Sequence, residues 1–360
     1  MTVASTKLDS RRLVTLNRLL IRLQHSEPEA RLDSVRALSE YRTDQSVSAL
    51  EMVLLKDPLE DIRAAAAHSL ALLRSPASVG SLREAMHDID SGVRWSAAFA
   101  LGKIGTPEAA DILLASLGDP EPENRNQIAF ALGAIGDPRA LPALAALLHD
   151  EDELVVAGAV LAVSEVKSPE AVPILVEALY HDNPIARTHA ATSLGARKAK
   201  EAVSDIRVRL EDEDAVVIGA AIEALVELVG RDAVPEVVPF LGDERLEVSV
   251  SAVRALGRSG SRRAFEPLLA LLTARSDISR LTVIESLGNL RDPRAIGPLM
   301  MLLHDESPKV RRAAILALGR LKAIQALDQI GDCLHDDSPL VIDAAQKTLR
   351  KLLDRIASRN

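Results

Sequence analysis

The amino-acid sequence predicts an all-α protein, a right-handed α-α superhelix built from about eleven helical hairpins that recur with a period of 31. Three observations carry this. Markers recur at one fixed interval, two short runs of helical periodicity fill each interval, and aromatics make up only 2% of a chain that is 48% apolar. A core so poor in rings must be made of Ala, Leu, Val and Ile, which suits closely packed helices better than the aromatic and β-branched faces of sheets.

Because a missed repeat misassigns a fold, the ruler comes first. Asp57, Asp88, Asp119, Asp150, Asp182, Asp212, Asp243, Asp305 and Asp336 follow at intervals of 31, 31, 31, 32, 30, 31, 62 and 31, with Ala274 at the midpoint of the double gap. A second marker, Leu101, Leu132, Val163, Leu194, Leu225, Leu256, Leu287, Leu318 and Leu349, keeps 31 without slippage. Glycine follows it at Gly102, Gly133, Gly195, Gly257, Gly288 and Gly319.

The first helix of an interval is clearest in PRALPALAALLHD, where Leu141, Leu144, Leu147 and Leu148 share one helical face. Its opening Pro138 suits a first helical turn, where the missing N–H would have no partner. The second helix reads as VRRAAILALGRL, with Val310, Ala314, Ala317, Leu318 and Leu321 on one face. Ser75-Pro76, Thr106-Pro107, Asp137-Pro138, Ser168-Pro169 and Asp292-Pro293 close one interval and open the next.

Hairpins this short cannot bury their apolar stripe alone, so neighbours must cover it and the chain stacks into a solenoid. Axes near 10 Å apart imply a body roughly 100 Å long. Second helices, lined by Ala-Ala and Leu-Gly, are the slimmer ones and are expected closer together, on the concave side. The expected organisation is a flexible tail at residues 1–10 and a single solenoid domain at residues 11–358.

Charge and cysteine content narrow the function. The 43 basic and 52 acidic residues leave a net charge of −9, which disfavours a general nucleic-acid binder, since phosphate neutralisation needs a basic surface. The basic ends, with Arg11, Arg12, Arg18 and Arg22 at one and residues 341–360 at the other, read as solvated helices. Cys333 is the lone cysteine, so neither an internal disulfide nor a thiolate cluster can form, and a reducing compartment is expected. The start MTVASTKLDSRR lacks a secretory apolar segment, and the longest apolar run, Leu154 to Val163, is about half of what a membrane span requires. A soluble, cytoplasmic protein is expected.

The text VRxxAAxALGxIGDPRA, clearest at Val93 to Ala109 and Val310 to Leu321, resembles the HEAT repeats of the short type found in phycobilisome-lyase-like proteins. The resemblance covers nearly the whole chain and implies an armadillo-like solenoid. It is specific for fold and unspecific for function, because that family holds scaffolds, enzyme accessories, bilin lyase subunits and a few enzymes. Deoxyhypusine hydroxylases within it hold two irons on His-Glu dipeptides, and this sequence contains none. HExxH, GxGxxG, P-loop and GxSxG motifs are also missing, so neither catalysis nor a cofactor is expected.

The repeated pairs His87-Asp88, His149-Asp150, His181-Asp182, His304-Asp305 and His335-Asp336 pose a metal-site question. Zinc needs four ligands at about 2.0 to 2.3 Å, whereas adjacent repeats lie about 10 Å apart, so metal binding is not expected. Six residues after the Asp there is often an Arg, as in Asp57 and Arg63, Asp88 and Arg94, Asp119 and Arg125, and Asp305 and Arg311. In the proteins this one resembles, such residues form a ladder between repeats. An Asp can also accept from the first N–H groups of the following helix, and the histidines are expected to cap the helix before them. Val156, Ile218 and Ser249 stand where other repeats carry the Arg, which should make the fifth to eighth repeats the softest.

Two variable positions of the second helices, four residues apart, are expected to face the groove: Ala64 and His68, Trp95 and Phe99, Asn126 and Phe130, Ala157 and Leu161. The only Trp and two of four Phe fall on this stripe, where a plain solenoid needs nothing large. Aromatics on an accessible groove are typical interface anchors. Trp95, Phe99, Phe130 and Leu161, flanked by His68, Arg94 and Asn126, form the candidate protein-binding site; the alternative is that Trp95 fills space between helices. Farther on the positions turn polar, with Glu223, Val250 and Arg254, Leu281 and Glu285, Arg312, and Asp343 and Lys347. The helix LVVAGAVLAV, apolar all round, should be covered either by a second chain or by tighter packing between repeats.

The function expected is a non-catalytic scaffold or adaptor for another protein or peptide, with no nucleic acid and no membrane. The alternative implied by the resemblance is a bilin lyase or isomerase subunit or another enzyme accessory, which a red-shifted band on mixing with bilin would reveal. A helical-repeat DNA glycosylase would want a basic concave face, which the acidic balance opposes.

Overall fold

A computed structural model describes residues 10–273 and 277–358; the expected tail, apart from Ser10, and Ala274 lie outside the described residues. The described residues contain twenty-two α-helices and no strand. They fall into two compact units divided between Ala190 and Ala191. The first holds α1 (Ser10–Arg22), α2 (Pro28–Leu38), α3 (Asp44–Lys56), α4 (Glu60–Leu73), α5 (Val79–Ala85), α6 (Ser91–Ile104), α7 (Pro107–Ala115), α8 (Pro122–Ile135), α9 (Leu141–Ala146), α10 (Glu153–Glu165), α11 (Ala171–Ala178) and the start of α12 (Pro184–Arg197). The second continues with α13 (Val203–Val208), α14 (Ala215–Val229), α15 (Val234–Val237), α16 (Leu246–Arg258), α17 (Phe265–Ala270), α18 (Asp277–Leu290), α19 (Ile296–Met301), α20 (Pro308–Leu321), α21 (Leu327–Asp332) and α22 (Pro339–Ala357). Odd and even helices pair into eleven hairpins, as the sequence ruler requires.

First helices are less regular than their periodicity suggests. PRALPALAALLH is a 3₁₀ turn at Pro138–Ala140, the short helix α9, and a second 3₁₀ turn at Leu147–His149. Pro142 lies in the first turn of α9, where it needs no N–H partner, so the α-helix restarts there after the tighter turn. Pro235 does the same in α15.

Second helices carry the stacking. In the first unit α4 packs on α6, α6 on α8 and α8 on α10; in the second, α14, α16, α18, α20 and α22 follow in the same way. The recurrent glycine explains how close they come. A Cβ built on Gly133 would lie 2.7 Å from the Ala162 Cα, and one on Gly102 would lie 2.8 Å from the Ala131 Cβ. Gly257 and Gly288 meet Ser286 and Ala317 at 2.7 and 2.9 Å. The Leu-Gly marker therefore records backbone touching backbone one repeat on. Those distances are well inside van der Waals contact, so any side chain there would force the helices apart.

The acids after each first helix divide two tasks. Asp90, Asp152 and Asp214 are N-caps, accepting from N–H groups of α6, α10 and α14. Two residues earlier, the marker Asp forms the ladder. Arg63 grips Asp88 with Nε–Oδ2 and Nη2–Oδ1 both at 2.8 Å, while Nη1 donates to the Asp57 carbonyl of its own repeat at 3.0 Å. Arg31–Asp57, Arg94–Asp119, Arg125–Asp150 and Arg311–Asp336 repeat the two-pronged pairing, and Arg280 pairs with Asp305. The guanidinium holds Asp88 and Asp150 below the ordinary range and brings Asp336 to about 2. For Asp119, burial pushes upward but Arg94, the Glu121 N–H and Asn124 together outweigh it.

Register at the fifth junction differs from the reading that placed Asp182 on the ruler. The ladder position belongs to His181, which stands midway between Asp150 and Asp212 in the sequence. Its Nδ1 accepts from the Asn183 N–H at 2.9 Å, as the Asp would, and its Nε2 donates to the Leu148 carbonyl of the preceding repeat at 2.8 Å. Here the arginine is already replaced by Val156, so a carboxylate would have no cation to meet. A neutral imidazole supplies its own donor. Asn183 adds a bond to the Glu153 carbonyl at 3.3 Å. Of the histidines expected at helix ends, His181 serves the neighbouring repeat, while His149, His304 and His335 are exposed and close the 3₁₀ turns that end their first helices. At Ile218 the ladder is lost differently, since Asp243 turns to its own Arg245 at 2.8 Å.

Candidate functional site

The first unit is aliphatic inside, which makes the face shared by α4, α6 and α8 unusual. Trp95 and Phe99, one turn apart on α6, stack with centroids 5.8 Å apart and planes inclined by 8°. His68 from α4 lies on Phe99 at 5.3 Å and 4°. Lys103, a further turn along α6, holds Nζ 5.2 Å from the Phe99 centroid, a cation–π contact absent from the sequence reading. The three rings thus form one stack across two repeats. Trp95 remains 38% exposed and Phe130 41% exposed. With about 200–250 Å² per ring, each leaves on the order of 90 Å² uncovered, worth ~2 kcal/mol each if a partner buries it.

Phe130 lies over Gly158 of α10, 3.6 Å from where a Cβ would stand. Asn126 rests on the same glycine so closely that a Cβ would fall 1.9 Å from its Oδ1. That oxygen is buried and has no hydrogen-bond partner among the described residues. These contacts settle how the all-apolar helix is covered: Val155 through Val160, with Ala162 and Val163, are buried within this chain, leaving Leu154 exposed and Leu161 half-buried. Packing between repeats does the covering. Gly158 was legible only as one more apolar position, because its role depends on which neighbour lies on it.

Arg94 belongs to the ladder instead of flanking the rings. Its side chain is 12% exposed and tied to Asp119 at 2.7 Å. His68, Trp95 and Phe99 are therefore brought together, Asn126 and Phe130 form a second group on Gly158, and Leu161 lies on the next helix. Of the polar positions farther on, Glu223 pairs with Arg258 at 2.9 Å, Glu285 with Arg320 at 3.2 Å and Asp343 with Lys347 at 2.8 Å.

Among the described residues no group of three His, Cys, Asp or Glu side chains is placed to hold a metal ion, and no helix is long and apolar enough to cross a membrane. Cys333 is buried, donates to the Gln329 carbonyl at 3.3 Å, and has its thiol pushed up by burial, the opposite of an activated nucleophile.

A family model described as HEAT repeats matches residues 9–71, 53–125, 113–195, 175–230, 203–280 and 265–350. No curated protein matches by sequence. Among solved structures the chain is similar to one of Kap95p with RanGDP, at 16% identity and a TM-score of 0.63, covering 95% of this chain and 55% of that one. It is equally similar to importin beta crystallised in ammonium sulfate, at 15% identity and a TM-score of 0.63, covering 95% and 56%. The chain thus spans little more than half the length of these neighbours, and at such identity they speak for the fold alone.

Proposed function

Since the chain belongs to the HEAT-repeat family, we propose that it is a non-catalytic binding scaffold, taking a protein or peptide partner against the second helices of its first unit. The carrying observation is the His68–Phe99–Trp95 stack, with Phe130 at the matching position one repeat on, rings left exposed or half-buried on second helices whose buried apolar side chains are Ala, Leu, Val and Ile. In the Kap95p structure to which the chain is similar, the partner is a protein, RanGDP. Stacked rings held by a neighbouring helix lose few rotamers when covered, as an interface anchor requires.

Affinity purification from the native host with the wild-type chain and with Trp95→Ala/Phe99→Ala tests this. The variant should retain its circular dichroism spectrum, because Trp95 is exposed and Phe99 half-buried, and should lose at least tenfold in partner recovery. Equal recovery of every partner by both proteins would remove the site.

A further inference from the structure

In the second unit the row that carries Lys103 on α6 turns into a stripe of cations. Arg258, Asn289, Arg320 and Lys351 each stand one full repeat after the last, on α16, α18, α20 and α22. With Arg291 and Lys322, which close α18 and α20, they line a pocket of about 900 Å³ whose walls include no carboxylate. All five cations are exposed. Arg258 and Arg320 have acidic partners in Glu223 and Glu285, whereas Arg291, Lys322 and Lys351 make no ion pair among the described residues. Gathering them on a chain of net charge −9 runs against its overall balance.

Helix-end electrostatics accounts for Arg291 and Lys322, which sit beside the last carbonyls of their own helices. It does not account for Lys351, which lies well inside α22, where the dipole has faded. A second pocket of about 720 Å³ adjoins, sharing Leu316 and Arg320, with Glu285 already neutralised by Arg320 and with Leu281 and Leu340 as apolar wall.

We propose that this surface docks an acidic segment of a partner polypeptide, carboxylates against the cation stripe and one large apolar side chain beside Leu316. The spacing argues for an extended chain. Second helices lie about 8–10 Å apart, and a chain in the extended polyproline II form turns once every three residues and rises about 3.1 Å per residue, so acidic side chains at every third position share one face and meet successive repeats. The pocket lacks the aromatic platforms on which single-stranded bases stack, and the apolar wall has no use for a sugar-phosphate backbone. This deepens the scaffold reading by giving the chemistry of a partner, on residues other than those of the Trp95 stack.

The test is fluorescence anisotropy of the full chain with a labelled peptide carrying Glu at every third position and one central Leu. A peptide with Lys for each Glu and a single-stranded oligonucleotide of equal charge serve as comparisons. The Glu peptide should bind, weaken as salt rises, and bind at least tenfold more weakly to Arg320→Glu/Lys351→Glu. The neutral pair Arg320→Gln/Lys351→Gln should weaken it in the same direction, guarding against misfolding of the first variant. Trp95→Ala should leave it unchanged, so the two sites stand or fall separately. Wild-type chain that ignores the Glu peptide, variants that bind it undiminished, or tighter binding of the oligonucleotide would overturn the proposal.

Discussion

Replacing Arg125 by valine takes away the guanidinium that meets both Asp150 oxygens at 2.7 Å, at a junction where the two side chains are 10% and 8% exposed. Removing one member of such a pair typically costs ~3–5 kcal/mol. An upper bound comes from the escape open to Asp150: protonating a carboxyl of ordinary pKa, about 3.9, at pH 7 costs ~4 kcal/mol. The Asp152 N–H, 3.0 Å from Oδ1, still stabilises the ionised form. The expected loss for Arg125→Val is therefore ~3–4 kcal/mol. Adding Asp150→His should recover more than half of it, because the pair then copies Val156 and His181. Its Nδ1 would take the Asp152 N–H as His181 takes that of Asn183, and its Nε2 would face the Leu117 carbonyl, the counterpart of Leu148 one repeat earlier. A stacked array opens repeat by repeat, so the assay is native-state amide exchange in α8 and α10, supported by urea titration. A double variant no more stable than Arg125→Val would refute the reasoning that Val156 and His181 are a compensated pair.

The glycine contacts predict opposite signs for the same substitution. Gly331→Ala, with nothing within 4 Å, should gain up to ~1 kcal/mol from helix propensity, while Gly133→Ala, 2.7 Å from the Ala162 Cα, should lose ~1–2 kcal/mol net after overpacking; thermal denaturation of both decides it, and a stabilised Gly133→Ala would deny the close approach. The ladder carboxyls predict acid sensitivity. Asp88, Asp150 and Asp336 are held lower in the folded chain than an ordinary Asp, so the folded state binds fewer protons. Their stabilisation is complete above about pH 4 and falls away toward pH 2, and a circular dichroism titration showing no loss in that interval would contradict it. Finally, protection against amide exchange should be about tenfold lower around α14 and α16, where Ile218 and Ser249 interrupt the ladder, than around α6 and α8; the fifth junction, repaired by His181, should not share this softness.

The two-helix repeat and its period were legible in the text, because a stack of identical hairpins writes the same apolar and turn residues at a fixed interval. So was the ladder, except at His181. Counting the His-Asp pairs as units hid that a histidine had moved into the aspartate position, although an unbroken period and the absence of arginine at Val156 were both there to be read. The stripe of Trp95, Phe99 and Phe130 was visible as an exception to an aliphatic pattern, but Arg94 looked like part of it because adjacency in sequence does not say which way a helical side chain turns.

By itself the amino-acid sequence determined the helical hairpins, their number and the markers that join them, since each depends on spacing within a repeat or between neighbours. Only the tertiary structure decided which rings stack, that Asn126 and Phe130 lie down on Gly158, and that unpaired cations converge in the second unit. Those outcomes depend on side-chain direction and on ångström distances between helices a repeat apart, and a one-dimensional period carries neither.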